Sequence, residues 1–131
     1  MAKNVQYFQS GERIIEAGAT EQRMYIILEG TVMIMLAHEN ERMCVATLNK
    51  GDFFGEISLF NNTPRSANVI AQGQVRLAYI DSVDQLKAFL KKNPNFAAKM
   101  VANLAMRLAK TDELLIGKID EAHRLKIMQD V

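Results

Sequence analysis

The chain has 131 residues, 49% of them hydrophobic, which is enough for one domain with its own core and too few for two of ordinary size. Sixteen basic against fifteen acidic side chains leave a formal charge of +1, so no overall field draws the protein to nucleic acid or an anionic membrane, and any anion site has to be local. The single cysteine, Cys44, excludes an internal disulfide, the N-terminus lacks a signal-peptide core, and the longest nearly apolar run, Met24 to Ala37, falls short of the roughly 20 residues of a membrane span, so a cytoplasmic protein is expected.

In chain order, short β-type runs come first: Arg13-Ile14-Ile15, Met24 to Leu28, Thr31 to Leu36, Met43 to Leu48, Ala67 to Ala71 and Val75 to Ile80. Turn chemistry falls where such strands must reverse, at Glu16-Ala17-Gly18, Glu29-Gly30, His38-Glu39-Asn40-Glu41, Asn49-Lys50-Gly51-Asp52 and Gln72-Gly73-Gln74, so several antiparallel hairpins are expected. Strands this short and this dense point to a β-sandwich or barrel. In Met24 to Leu36 both alternating sets are largely apolar, so neither face is expected to be fully solvated.

After Asp81 the period changes. Val83, Leu86, Phe89 and Leu90 recur at helical spacing, Asn93-Pro94 interrupts, and a second helical run begins at about Asn95. Within it Val101, Leu104, Leu108, Thr111 and Leu115 follow the three-four spacing of a two-helix seam, which predicts a homodimer through the C-terminal helix. An amphipathic helix packed on its own barrel would show the same spacing. With no linker, the barrel of about residues 5–80 and the helices of about 82–128 are expected to form a single domain over 1–131.

The chemistry concentrates in residues 51–67, where a turn leads into a very short helix, a polar loop and a new strand. Gly55 lets backbone approach a ligand, and the unpaired N–H groups of the Glu56 to Phe60 turn suit an anion. Arg65 offers a permanently charged, bidentate fork for phosphate oxygens, projecting from a loop stiffened by Pro64. Glu56 cannot bind that phosphate, but it can accept a hydrogen bond from a ribose 2′-OH while helping to hold the arginine.

Phe-Gly-Glu-Ile-Ser-Leu-Phe over 54–60, followed after a short loop by Thr63-Pro64-Arg65-Ser66-Ala67, resembles the phosphate-binding cassette of the cyclic nucleotide-binding domain family. The likeness extends back through Phe8, Gly18, the Met24-Tyr25-Ile26-Ile27-Leu28 strand and Gly30, and forward into the helices, over most of residues 5 to 116. It implies a mainly β fold with C-terminal helices: an antiparallel jelly-roll β-barrel carrying a cassette at 53–67, then a helical segment and a long C-terminal helix. It also implies that Phe54, Gly55, Ile57 and Ser58 line the site, that Glu56 holds the ribose 2′-OH, that Arg65 binds the cyclic phosphate, and that Ala67 supplies a backbone amide. Ser66 would touch the phosphate or, in guanine-selective relatives, the base. In similar bacterial regulators the long C-terminal helix reaches the adenine, and Arg107, Thr111 and Asp112 occupy the corresponding place. Asp112 would accept from an adenine 6-amino group and oppose a guanine 6-oxo group, which favours cAMP over cGMP.

Taken singly, Arg65 and Glu56 fit a surface ion pair worth ~0–1 kcal/mol or an N-terminal helix carboxylate, and Thr111 and Asp112 fit a tolerated polar seam residue and a solvated charge. The glycine, short helix, Pro-Arg pair and small hydroxyl residue are not required together for stability alone. His38 and His123 lack companion ligands at metal spacing, Cys44 inside a strand pattern is expected to be packed rather than reactive, and the methionines in apolar runs read as filler. No enzyme activity and no cofactor are expected, and the downstream protein partner is not encoded in any recognisable motif. A transcription regulator's sensor half is a rival reading, but only Asp120 to Val131 follow Ile119, too little for a helix-turn-helix, so direct DNA binding is not expected. A dimeric interaction module without ligand is the other rival, against which Glu56 and Arg65 speak.

Overall fold

The computed structural model describes residues 4–38, 41–61 and 64–109. They form strands β1 (Val5–Phe8), β2 (Arg13–Ile15), β3 (Met24–His38), β4 (Glu41–Leu48) and β5 (Phe53–Phe54), helix α1 (Glu56–Phe60), strand β6 (Asn68–Ile80) and helix α2 (Val83–Lys92). A further helix, α3, covers residues 94–109 within the described chain. The chain forms two compact units, residues 1–89 and 90–131.

In the first unit all strand pairing is antiparallel, in a six-stranded sheet of order β1-β6-β3-β4 with β2 also on β6 and β5 also on β3. β1 and β2 take opposite ends of one edge of β6, pairing with residues 75–78 and 69–70, while β5 and β4 take opposite ends of β3, pairing with residues 25–26 and 32–38. The ladder is therefore two four-stranded halves, β1-β6-β3-β5 and β2-β6-β3-β4, sharing two long strands. Ile14, Ile15, Val32, Val69 and Ala71 of one half and Tyr25, Ile27, Phe54, Val75 and Leu77 of the other lie in one buried cluster, so the halves fold onto each other as in a β-roll. Among the described residues no pairing joins the outer strands, and the sheet is not closed.

Two expected hairpin turns are instead bends inside continuous strands. At Glu29-Gly30 and Gln72-Gly73-Gln74 the β3–β6 pairing passes from Glu29↔Arg76 to Thr31↔Gln72, so β3 advances from 29 to 31 while β6 runs from 76 to 72. A Cβ on Gly30, at φ +94, would stand 2.3 Å from the Gln74 carbonyl oxygen, so only glycine lets the two backbones meet here. A positive-φ glycine bends a strand as readily as it reverses one, and the partners on either side decide which. The expected turn at Asn49 to Asp52 does reverse the chain, closed by Asp52 N–H to Asn49 O at 2.9 Å and Asn49 N–H to Asp52 Oδ2 at 2.9 Å.

Both faces of the first part of β3 are buried, Met24 and Ile26 as fully as Tyr25 and Ile27. Cys44, expected to be packed, is exposed: among the described residues β4 is an outer strand paired only with β3, and residues 43–47 are all exposed. α2 begins where Gln85 N–H donates to Ser82 Oγ (3.1 Å) and Gln85 Oε1 accepts Asp81 N–H (3.0 Å), with Asp84 in the first turn and Lys91 and Lys92 in the last. Asn93-Pro94 ends it, and Pro94, with no N–H to lose, opens α3. No helix among the described residues is long and apolar enough to cross a membrane.

Candidate functional site

The site is assembled from the turn after β4. Phe53 and Phe54 pair with Ile26 and Tyr25 as β5, and Phe54 stacks on the Tyr25 ring with centroids 5.1 Å apart. That anchor delivers the chain to Gly55, whose φ of +82 turns it into α1. Glu56 and Ser58 on α1 are buried, whereas Ile57 and Phe60 are 64% and 59% exposed. Ser58 Oγ donates to the Gly55 carbonyl at 2.9 Å and tightens the turn.

Arg65 is buried beneath this turn. Its backbone is held at both polar groups, N–H donating to Ala19 O and C=O accepting from Gly18 N–H, each at 2.8 Å. Its Nη1 donates to Gly55 O at 3.0 Å and its Nη2 to Arg23 O. Its Nε–H is buried with no acceptor among the described residues. Burial lowers the Arg65 pKa from its ordinary value, and Tyr25, Glu21 and Glu56 offset this only in part. A buried cation that leans on neutral carbonyls and keeps a free donor is short of negative charge, and an anion with several acceptor oxygens supplies what it lacks.

A sequence model of the cyclic nucleotide-binding domain matches residues 5–93, the stretch that contains the whole of this arrangement. The chain belongs to that family. It is 40% identical over 83 residues to the cAMP-dependent protein kinase type II regulatory subunit of Drosophila melanogaster, across 63% of this chain and 21% of that protein. It is 30% identical over 112 residues to the cAMP-activated global transcriptional regulator CRP of Escherichia coli, across 84% of this chain and 53% of that protein. The catabolite activator protein of Thermus thermophilus superposes with a TM-score of 0.71 at 28% identity, over 85% of this chain and 52% of that one. The chain thus spans about a fifth of the kinase subunit and about half of each bacterial regulator.

Of the residues expected at the site, Ser58 and Arg65 meet at the carbonyl of half-buried Gly55, Phe54 and Glu56 are buried on either side of that glycine in the chain, and Ile57 is exposed on α1. Ser66 is exposed and Ala67 half-buried as the chain leaves Arg65 for β6. Arg107 is an exposed residue of α3 in the second unit, and Thr111 and Asp112 lie outside the described residues. Further residues surround Arg65: Gly18 and Ala19, which hold its backbone, Arg23 just before β3, and Tyr25 near the start of β3; the family likeness in the sequence took in Gly18 and Tyr25 but passed over Ala19 and Arg23. The Tyr25 hydroxyl is pushed up by burial, with Arg23 and Arg65 pulling the other way. The signal for these residues was a tyrosine and an arginine flanking an apolar strand start, which is common and says little by itself. A separate cleft of about 370 Å³, lined by Phe8, Glu12, Glu29, Val75 and Arg76 among others, includes none of the cassette residues.

Proposed function

We propose that this chain is a sensor domain over residues 1–131 that binds a cyclic nucleotide, with cAMP favoured over cGMP, and that it regulates a protein partner rather than catalysing a reaction. The observation that carries the reading is the buried Arg65 guanidinium with an unpartnered Nε–H, set against a glycine-led turn beside buried Glu56. The cyclic phosphate takes the free donor of Arg65, Glu56 accepts the ribose 2′-OH, and Ser66 and Ala67 close on the phosphate from the segment that leads into β6. Both named protein relatives are cAMP-responsive by their descriptions, which supports the choice of base together with Asp112.

Ligand acts by preferring one arrangement of the cassette. Drawing α1 inward around Arg65 moves the exposed side chains of Ile57 and Phe60, so the apolar surface of the cassette changes with occupancy, and the C-terminal helix responds by pairing more tightly with its twin. Val101, Leu104 and Leu108 lie on the expected seam and are exposed on α3, which supports a homodimer through that helix. Leu104→Glu is expected to convert a sedimenting dimer to a monomer; a monomeric wild type would refute the dimer. A cytoplasmic setting and the absence of direct DNA contact belong to the same proposal.

The test is calorimetric titration with cAMP and then cGMP, with Arg65→Ala as control. Micromolar or tighter binding that the substitution abolishes supports the sensor, and the tighter ligand names the base. No heat with either nucleotide would favour the ligand-free dimeric module, which the exposed seam of α3 supports independently.

A further inference from the structure

Arg23 and Asp81 stand opposite each other just beyond the end of the β3–β6 ladder. Tyr25 pairs with Tyr79 and Met24 with Ile80, so the next rung belongs to these two residues. Their side chains close it: Arg23 Nε donates to Asp81 Oδ1 at 2.7 Å, and the Arg23 guanidinium carbon lies 4.1 Å from the centre of the Tyr79 ring. Burial by itself would lower the Arg23 pKa, but hydrogen bonds and charge interactions with Asp81 and Tyr25 together raise it above its ordinary value.

An ion pair this exposed is ordinarily worth little. What sets it apart is the other end of Arg23, whose carbonyl oxygen accepts from Arg65 Nη2. Arg23 precedes β3, so its peptide lies outside the ladder, and its side chain is held by Asp81, just past the end of β6, and by Tyr79 within β6. Asp81 in turn donates its N–H to Gln85 Oε1 in the first turn of α2. A single residue therefore connects the buried arginine of the cassette to the junction between β6 and α2.

We propose that Arg23 is a positioning residue for ligand binding: clasped by Asp81 and Tyr79, it presents its carbonyl to Arg65 and holds that guanidinium in the orientation that leaves Nε–H for the ligand. The inference rests on the reading of the cassette as a cyclic-phosphate site, and its test separates the two. Asp81→Asn removes the charge but keeps the size, and leaves the helix start intact because that uses the Asp81 backbone and Ser82 Oγ. In the ligand-free protein, NMR of arginine side chains should show the Arg65 Nε–H exchanging severalfold faster in Asp81→Asn than in wild type, with Asp81→Glu restoring most of the protection. Affinity for cAMP should fall about threefold to fivefold in Asp81→Asn, and by less than about twofold when the same change is made in Arg65→Lys. Unchanged exchange and affinity, or equal losses with arginine and lysine at 65, would overturn the proposal. Wild-type protein that binds no cyclic nucleotide would overturn the parent reading, while the exchange of Arg65 Nε–H would still decide whether the clasp positions this side chain.

Discussion

The Arg65 guanidinium occupies the space in which residue 55 would carry a side chain: Nη1 lies 2.8 Å from the point where a Cβ on Gly55 would sit, and donates to the Gly55 carbonyl at 3.0 Å. The Arg23 carbonyl oxygen is equally close to that point, at 2.8 Å. Gly55 is thus required twice, for a φ of +82 and for the approach of the arginine. Gly55→Ala is expected to destabilise the fold by about 1–3 kcal/mol through backbone strain and to lower cAMP affinity more than tenfold by displacing Arg65. Chemical denaturation and titration of the same variant check both, and full affinity would show that Arg65 does not depend on this gap.

The two charged residues of the cassette should separate by ligand chemistry. Arg65→Ala is expected to weaken cAMP binding by about 2–5 kcal/mol, because a desolvated phosphate loses its paired charge. Glu56→Gln is expected to lose about 1.5–3 kcal/mol with cAMP and almost nothing with the 2′-deoxy analogue, whose missing hydroxyl is the proposed partner. Equal losses with both ligands would remove Glu56 from the ribose.

Tyr25 gives the protein an alkaline limit. Burial raises its pKa from 10.0, the value it has in the unfolded chain. Below that pH the hydroxyl is protonated in both states. As pH rises past it, the unfolded chain releases the proton before the folded one does, so the stability that depends on the neutral ring is lost progressively towards the folded pKa. Urea unfolding of Tyr25→Phe between pH 9 and about pH 11 should show a shallower decline than wild type, the difference in slope being less than about 1.4 kcal/mol per pH unit. Parallel curves would mean that the hydroxyl is not held neutral.

Gly30 fixes the bend between the two halves of the roll. A Cβ there would meet the Gln74 backbone oxygen at 2.3 Å and the Val75 side chain at 3.0 Å, and main chain cannot swing aside as a flexible side chain would. Gly30→Ala is expected to lower stability by about 3 kcal/mol or more, from positive φ and the clash together. A thermal midpoint within a few degrees of wild type would show that the bend relaxes.

The residues that identify the family were legible in the sequence because they are contiguous. Gly55, Glu56 and Ser58, then Pro64-Arg65-Ser66-Ala67, form one local stretch whose residue types make sense only together, and the change from period two to period 3.6 after Asp81 located the passage from strands to helices. Local chemistry also placed the turn at Asn49 to Asp52, whose hydrogen bonds close within four residues.

What the sequence could not determine lies in contacts between distant segments. Glu29-Gly30 and Gln72-Gly73-Gln74 carry ordinary turn chemistry, and only the pairing of β3 with β6 on both sides makes them bends. Cys44 sits in a strand pattern, and its exposure follows from β4 lying at the edge of the sheet. Arg65 meets the Arg23 carbonyl across 42 residues, and Arg23 meets Asp81 across 58, so the surroundings of the cassette arginine are decided by strand register rather than by any motif. Local residue preferences select turns, strands and the cassette, whereas burial and register, which depend on the whole folded unit, select the neighbours that tune it.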